Sequence, residues 1–286
     1  MAAPTLAFVI GAQRSGTTWL HRYLDQHPQI ATGLAKEGNY YAHLFRNVTD
    51  PRYQPGVASV RRPLWLRRWL AAASVLRAGA RKPDPASLAG ALSGDFARFF
   101  GAGAQQSVLC DVSSFYSLLD ARALSAMARD NPGSRFVLIL RDPVARAWSG
   151  LLKRCDAQAI APGSDAFLAA AQQALRDPAQ LARSDYARML KALDVAVPQG
   201  RALCLFHETM FNDAEMTRLT SFLGVGARDG DFDHIVNAST AVAMPDDWAA
   251  QARVALAPSY DAVAARFGVA VPADWHAAPG IARAAQ

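Results

Sequence analysis

The stretch Phe8 to Leu20, FVIGAQRSGTTWL, constrains this chain more than any other. An apolar run enters a glycine-bounded loop and then a helix, the arrangement that turns backbone N–H groups toward a phosphate. The spacing from Gly11 to Gly16 is that of a P-loop, yet Thr17 stands where a nucleoside triphosphatase has its lysine. Glycines and threonines also make ordinary strand-to-helix turns. Here Gly11, Gln13, Arg14, Ser15, Gly16, Thr17, Thr18 and Trp19 coincide after a buried strand, and the segment reads as a site for a phosphorylated ligand other than ATP.

The 286 residues suffice for a sizeable core, since 51% are hydrophobic. A net charge of +6 favours anions without choosing among nucleotides, sulfated ligands, nucleic acid and membrane surfaces. Lysine occurs only at Lys36, Lys82, Lys153 and Lys191, so bidentate anion contacts fall to arginine. Cys110, Cys155 and Cys204 are widely spaced and odd in number, which argues against both a disulfide framework and a zinc site. A first strand so near Met1 leaves no room for a signal segment, and no apolar run is long enough to span a bilayer. The expectation is a soluble, bacterial-style cytoplasmic protein.

Strands are expected at Leu6 to Ile10, Gln29 to Thr32, Ser107 to Asp111, Arg135 to Leu140 and Ala202 to Phe206. Helices are expected after the first loop, where Trp19, Leu20, Tyr23 and Leu24 share a face, and at Leu88 to Phe100 and Leu118 to Arg129. Others follow Pro143 and cover Asp165 to Arg176, Ser184 to Leu193, Glu215 to Leu223 with Gly224 as C-cap, and Trp248 to Phe267. This alternation predicts an α/β fold, a P-loop-like central parallel β-sheet flanked by α-helices in a single domain over residues 1–286. Residues 50–85 read as an insertion rich in Pro, Arg and Trp. Its plain reading is a solvated surface helix or loop; the sharper ones are a lid over the acceptor or a peripheral membrane contact through Arg61 to Arg81, with Trp65 and Trp69 interleaved.

Arg141 ends the second strong strand, and Ser149 follows eight residues later, about two helical turns on. If Asp142-Pro143 opens a helix, the two can grip one phosphate together; alone, the arginine beside Asp142 reads equally as an ion pair. With the first loop, the pair implies a ligand carrying two separated phosphates.

These segments resemble the sulfotransferases that use 3′-phosphoadenosine 5′-phosphosulfate, PAPS. GAQRSGTTWL is similar to their 5′-phosphosulfate loop, and RFVLILRDPVARAWSG to their 3′-phosphate segment, with Arg141 and Ser149 in the matching places. Tyr186 to Leu193 and LCLFHETMFNDAEMTRLTSFLGV resemble the C-terminal half, so the similarity spans roughly residues 6–226. The resemblance implies in-line sulfuryl transfer from PAPS, leaving PAP, to an acceptor hydroxyl or, less readily, an amine, without a metal. It implies a donor site of Gly11, Gln13, Arg14, Ser15, Gly16, Thr17, Thr18, Trp19, Arg141, Ser149 and Tyr186. Arg14 would also stabilise charge developing on the leaving phosphate. Glu37, in AKEGNYY, resembles the catalytic glutamate of the heparan-type branch and is the favoured base; the plain alternative is a surface pair with Lys36.

His43, on the same segment, is a second acid/base candidate. His21 and His27 read as structural, and His207 and His234 could reach the site only through tertiary contacts. Three departures stand out: Arg14 where many relatives have lysine, Asp111-Val112-Ser113-Ser114-Phe115-Tyr116 where they read Glu-Lys-Thr-Pro-x-Tyr, and no basic C-terminal loop, whose place Asn237 to Thr240 would take. Competing readings are an ATP-dependent P-loop kinase and a non-catalytic nucleotide-fold protein binding membrane or a partner. Nucleic acid is not an expected partner, and neither the oligomeric state nor the acceptor (small molecule, lipid or carbohydrate) is legible.

Overall fold

The computed structural model describes residues 4–32, 36–44, 106–232 and 242–276. The segment 50–85 with its Arg61 to Arg81 stretch, the expected helix Leu88 to Phe100, His234 and Asn237 to Thr240 lie outside the described residues, as does the side chain of His43.

Five parallel strands form one sheet: β1 (Thr5–Gly11), β2 (Ile30–Thr32), β3 (Val108–Val112), β4 (Arg135–Leu140) and β5 (Ala202–Phe206), in the order β2-β3-β1-β4-β5. Strands β1 and β4 are near-continuous apolar runs because helices cover both faces of the sheet. Alternation sends Phe8 and Ile10 to one face with Leu109, Phe136 and Leu138, and Ala7 and Val9 to the other with Cys110, Val137 and Ile139. Each such large side chain contributes roughly 1.5–3 kcal/mol on burial. The first face is covered by α3 (Ala121–Asp130) and α7 (Tyr186–Ala196), the second by α1 (Thr17–Asp25) and α8 (Asp213–Leu223). A third cluster joins α4 (Pro143–Ala157), α5 (Asp165–Ala174) and α9 (Asp246–Ala255). The short helices α2 (Tyr40–Leu44) and α6 (Pro178–Leu181) and the C-terminal α10 (Ala257–Phe267) complete the described elements.

Local chemistry moves several expected boundaries. The helix expected from Leu118 begins at Ala121, since the Asp120 side chain caps it and residues Ser114–Leu118 form a 3₁₀ turn instead. The helix expected from Ser184 starts at Tyr186 behind an Asp185 cap. Trp248 to Phe267 is two helices, broken at Leu256 ahead of Pro258, which suits a first helical turn. Gly224, at φ 75°, closes α8 as expected.

The carboxyl end of β3 fastens the segment after β2 to the sheet. Asp111, fully buried, accepts hydrogen bonds from Ser113 Oγ and Tyr116 OH, both at 2.6 Å. Ser113 Oγ in turn accepts from the Asn39 backbone N–H at 2.9 Å, and Tyr116 OH from that of Tyr41 at 3.2 Å. One carboxylate thus orients the two hydroxyls that hold residues 39–41. Burial pushes the Asp111 pKa up to about 6, against the pull of both hydroxyl bonds, with nearby Glu37 adding to the rise.

Two outcomes follow from this architecture. Gly11 sits at φ 145°, and a Cβ there would lie 2.7 Å from Ser117 Cβ, so Gly11→Ala should cost on the order of 1–3 kcal/mol in chemical denaturation; an unchanged midpoint would contradict the close approach. Between the unfolded pKa of about 4 and the folded value of about 6, the folded state holds a proton on Asp111 that the unfolded state releases. That contribution is present at low pH and is lost as pH rises through this window. The stability of wild type relative to Asp111→Asn should therefore fall from pH 5 to pH 7 in thermal melts, and a flat or rising difference would rule the assignment out.

Candidate active site

The loop between β1 and α1 opens at the carboxyl end of the central strand, beside the strand end of β4, where open α/β sheets take their ligands. Helix α1 begins at Gly16 with no capping side chain, whereas Asp120, Asp142, Ser164, Asp185 and Asn212 cap the first turns of α3, α4, α5, α7 and α8. Like α9 and α10, it has no side-chain cap, but it starts at a strand end, where its first N–H groups and dipole favour an anion. Gly16 has φ 88°, and a Cβ there would come within 3.0 Å of both His207 Nδ1 and Met210 Cε, so only glycine lets the turn after β5 close over the loop.

The two sequence constellations meet directly. Arg14, itself in the left-handed region at φ 66°, donates from Nε to Ser149 Oγ at 3.1 Å. Arg141 Nη1 donates to the Arg14 carbonyl at 2.9 Å. Asp142 does not form an ion pair with Arg141: its Oδ1 caps α4 at Ala145 and its Oδ2 accepts from Tyr260 OH at 2.6 Å. Pro143 at the first turn completes that helix start and aims Ser149 back toward the loop. Burial lowers the pKa of Arg14, with the Arg141 charge beside it as a second cause. Arg141 is lowered mainly by burial, with Glu208 the main opposing charge.

The remaining sequence-nominated residues fall into supporting places. Gln13 Oε1 accepts from Arg183 Nε at 2.7 Å. Ser15 is buried and its Oγ has no hydrogen-bond partner. Thr17 is buried and Thr18 partly exposed at the start of α1. Trp19 turns away into packing: its ring stacks on Tyr23 and Phe232, and Nε1 donates to the Asp231 carbonyl at 3.0 Å. Tyr186 is fully buried, and its hydroxyl both donates to the Arg141 carbonyl at 2.8 Å and accepts from the Arg141 N–H at 3.2 Å. It sets the backbone of Arg141.

Glu37 docks on the same rim. Its N–H donates to the Val112 carbonyl at 2.9 Å, and its carboxylate accepts from Ser114 N at 2.9 Å, Ser114 Oγ at 2.6 Å and Lys36 Nζ at 2.7 Å. The pair with Lys36 read from the sequence is therefore formed, but it is not a surface pair, as the two side chains are only 22% and 28% exposed. Ser114 also places its carbonyl 3.0 Å from where a Cβ on Gly11 would stand, which puts Glu37 one residue from the start of the loop. His21, one turn into α1, lies within electrostatic range of Lys36 and Glu37; its Nε2 is buried without a partner, and burial lowers its pKa.

Sequence reasoning left His207 dependent on a tertiary contact and passed over three further residues, Glu208, Arg146 and Arg183. His207 and Glu208 follow β5 directly: His207 sits on the loop with Nδ1 unpartnered, its pKa driven down to about 3 by burial and by Arg141. Glu208 Oε1 accepts from the Asp142 N–H at 2.8 Å. Arg146 is fully buried one turn before Ser149, and Arg183 reaches the loop from the turn after α6. The (i, i+3) spacing of Arg146 and Ser149 was the available signal for the first; the others depend on tertiary contacts. Among the described residues, no group of three or more His, Cys, Asp or Glu is placed to hold a metal ion, and no helix is long and apolar enough to cross a membrane.

Comparison with known proteins converges on the same segments. The chain resembles the crystal structure of a sulfotransferase from Alicyclobacillus acidocaldarius, at 20% identity and a TM-score of 0.64, over 97% of this chain and 100% of that one. A sulfotransferase domain from the Synechococcus PCC 7002 olefin synthase aligns more loosely, at 16% identity and a TM-score of 0.48, over 93% and 96% of the two chains. No match was found among curated protein sequences. The model of the sulfotransferase family matches residues 5–229, which contain the loop after β1, the end of β4 with Ser149, and Glu37, and the chain belongs to that family.

Proposed function

We propose that this sulfotransferase takes its sulfuryl group from PAPS and passes it in line to an acceptor hydroxyl, or less readily an amine, of a small molecule, lipid or carbohydrate. The observation that carries the reading is the joining of Arg14, Arg141 and Ser149 across two strand ends, next to an uncapped helix N-terminus. A ligand with phosphates at both ends of a nucleoside matches a site with two linked anion positions.

In this reading the first N–H groups of α1, with Ser15, Thr17, Thr18 and Arg14, hold the 5′ end and take up the charge that develops on the leaving phosphate as the bond from its bridging oxygen to sulfur breaks. Arg141 and Ser149 hold the 3′-phosphate. Glu37 receives the acceptor proton as the new oxygen–sulfur bond forms, and the Ser114 and Lys36 donors keep its carboxylate aimed across the rim. Among the histidines, His207 is a poor alternative base, because burial keeps its basicity low. His21 is the better rival, given its position beside Lys36 and Glu37.

The kinase reading is disfavoured on two counts. The loop has no lysine, and Asp111, the strand-end carboxylate a magnesium ion would need, is buried and bonded to Ser113 and Tyr116. A cytoplasmic location and a hydroxylated acceptor, rather than nucleic acid, complete the proposal.

Binding and chemistry can be tested separately. PAP at about a hundredfold above its Kd should raise Tm by roughly 5 °C or more, ADP and ATP should not, and Arg141→Ala should lose the response. Equal stabilisation by ADP would sink the donor assignment. Glu37→Gln should keep the PAP response while turnover drops about 10²–10⁴-fold. Near-wild-type turnover in that variant, with loss in His21→Asn, would move the base to His21.

A further inference from the structure

Arg146 is a charge that the fold has buried without an opposite charge to meet it. The side chain is fully inaccessible, on the face of α4 that carries Ser149 three residues later. Its Nε donates to Ser184 Oγ, its Nη2 reaches the Gln180 carbonyl at 3.5 Å, and its Nη1 has no partner. Among the described residues no carboxylate forms an ion pair with it; apart from Tyr186, the charges that act on it are Arg183, Arg141 and Arg14, in that order, all positive. Burial, with these like charges, pushes its pKa down to about 10 although the neighbouring Tyr186 works the other way, so it stays protonated at neutral pH.

A purely structural tie between α4 and the turn at Ser184 would need only the two hydrogen bonds, which a neutral side chain can make. A buried ion without a counter-ion is costly to hold, and the cost falls when an anion arrives nearby. In the donor reading such an anion would sit at Arg141 and Ser149: Ser149 lies one turn on along the same buried face of α4, and the Arg141 charge already acts on Arg146.

We propose that Arg146 is a positioning residue that sets the preference of the donor site for a nucleotide phosphorylated at both ends: it acts behind Arg141 and Ser149 as the charge that a second phosphate compensates. The proposal rests on the donor reading above and deepens it. It has two signatures. Removing the charge should leave the free protein as stable as before or more so, and should weaken PAP much more than 5′-AMP, which lacks the second phosphate.

The test compares wild type, Arg146→Met, Arg146→Gln and Arg146→Lys by thermal melting and by titration with PAP, 5′-AMP and inorganic pyrophosphate. In Arg146→Met, PAP affinity should fall about tenfold or more while 5′-AMP changes less than about threefold, and Arg146→Lys should recover most of the loss. Arg146→Gln can replace Arg146→Met if the latter does not fold. Parallel loss of PAP and 5′-AMP, unchanged PAP affinity, or failure of both uncharged variants to fold would make Arg146 structural and overturn the proposal. Should wild type prefer PAP no more than 5′-AMP, the donor reading fails by itself, and pyrophosphate decides Arg146: stabilisation in wild type that shrinks in Arg146→Met upholds its action on a bound anion, and equal or absent stabilisation overturns it.

Discussion

The hydrogen bond from Arg141 to the carbonyl of Arg14 holds the site together, because it joins the loops that follow β1 and β4 beyond the ladder of the sheet. Strands β1 and β4 are hydrogen-bonded along their length, but their loops diverge at the carboxyl ends. Arg141 reaches back across that divergence, and Arg14 answers by reaching forward to Ser149. The exchange accompanies a left-handed Arg14 and joins the loop after β1 to the end of β4 and to α4. Tyr186 holds the Arg141 backbone from behind, and Glu208 holds the next peptide, so the arginine emerges from a clamped main chain.

Positive charge accumulates around this tie faster than the neighbouring carboxylates compensate it. Asp142 is occupied with the start of α4 and with Tyr260, and Glu208 with the Asp142 N–H. Hydrophobic layers on both faces of the sheet carry the stability around this imbalance. Of the arginines involved, Arg14 and Arg141 present their charge at the loop, while Arg146 contributes from the interior.

Most of the framework was legible in the sequence because it is written locally. The apolar runs of β1 and β4, the glycines of the loop, the Asp-Pro start of α4 and the Gly224 cap each need only a few adjacent residues to be read. The relation of Arg14 to Ser149 was not legible: the loop was assigned to one end of a ligand and Ser149 to the other, and only the chain path brings the side chains together. Arg183 was invisible for the same reason, and His207 could be named but not placed, as each approaches the loop from an element distant in sequence. Glu37 was nominated by its resemblance to a family pattern, but its anchoring by Ser114 depends on a 3₁₀ turn between β3 and the helix expected from Leu118, where no element was read.

Ser114 has a consequence beyond anchoring. Its N–H and hydroxyl grip Glu37 while its carbonyl lies against Gly11, so a single residue serves as the wall between Glu37 and the loop after β1. The two halves share a mechanical reference point and keep a fixed separation. In the proposed reaction, a change of acceptor preference would then come from surfaces that do not touch this wall, and the distance between base and leaving group would stay constant.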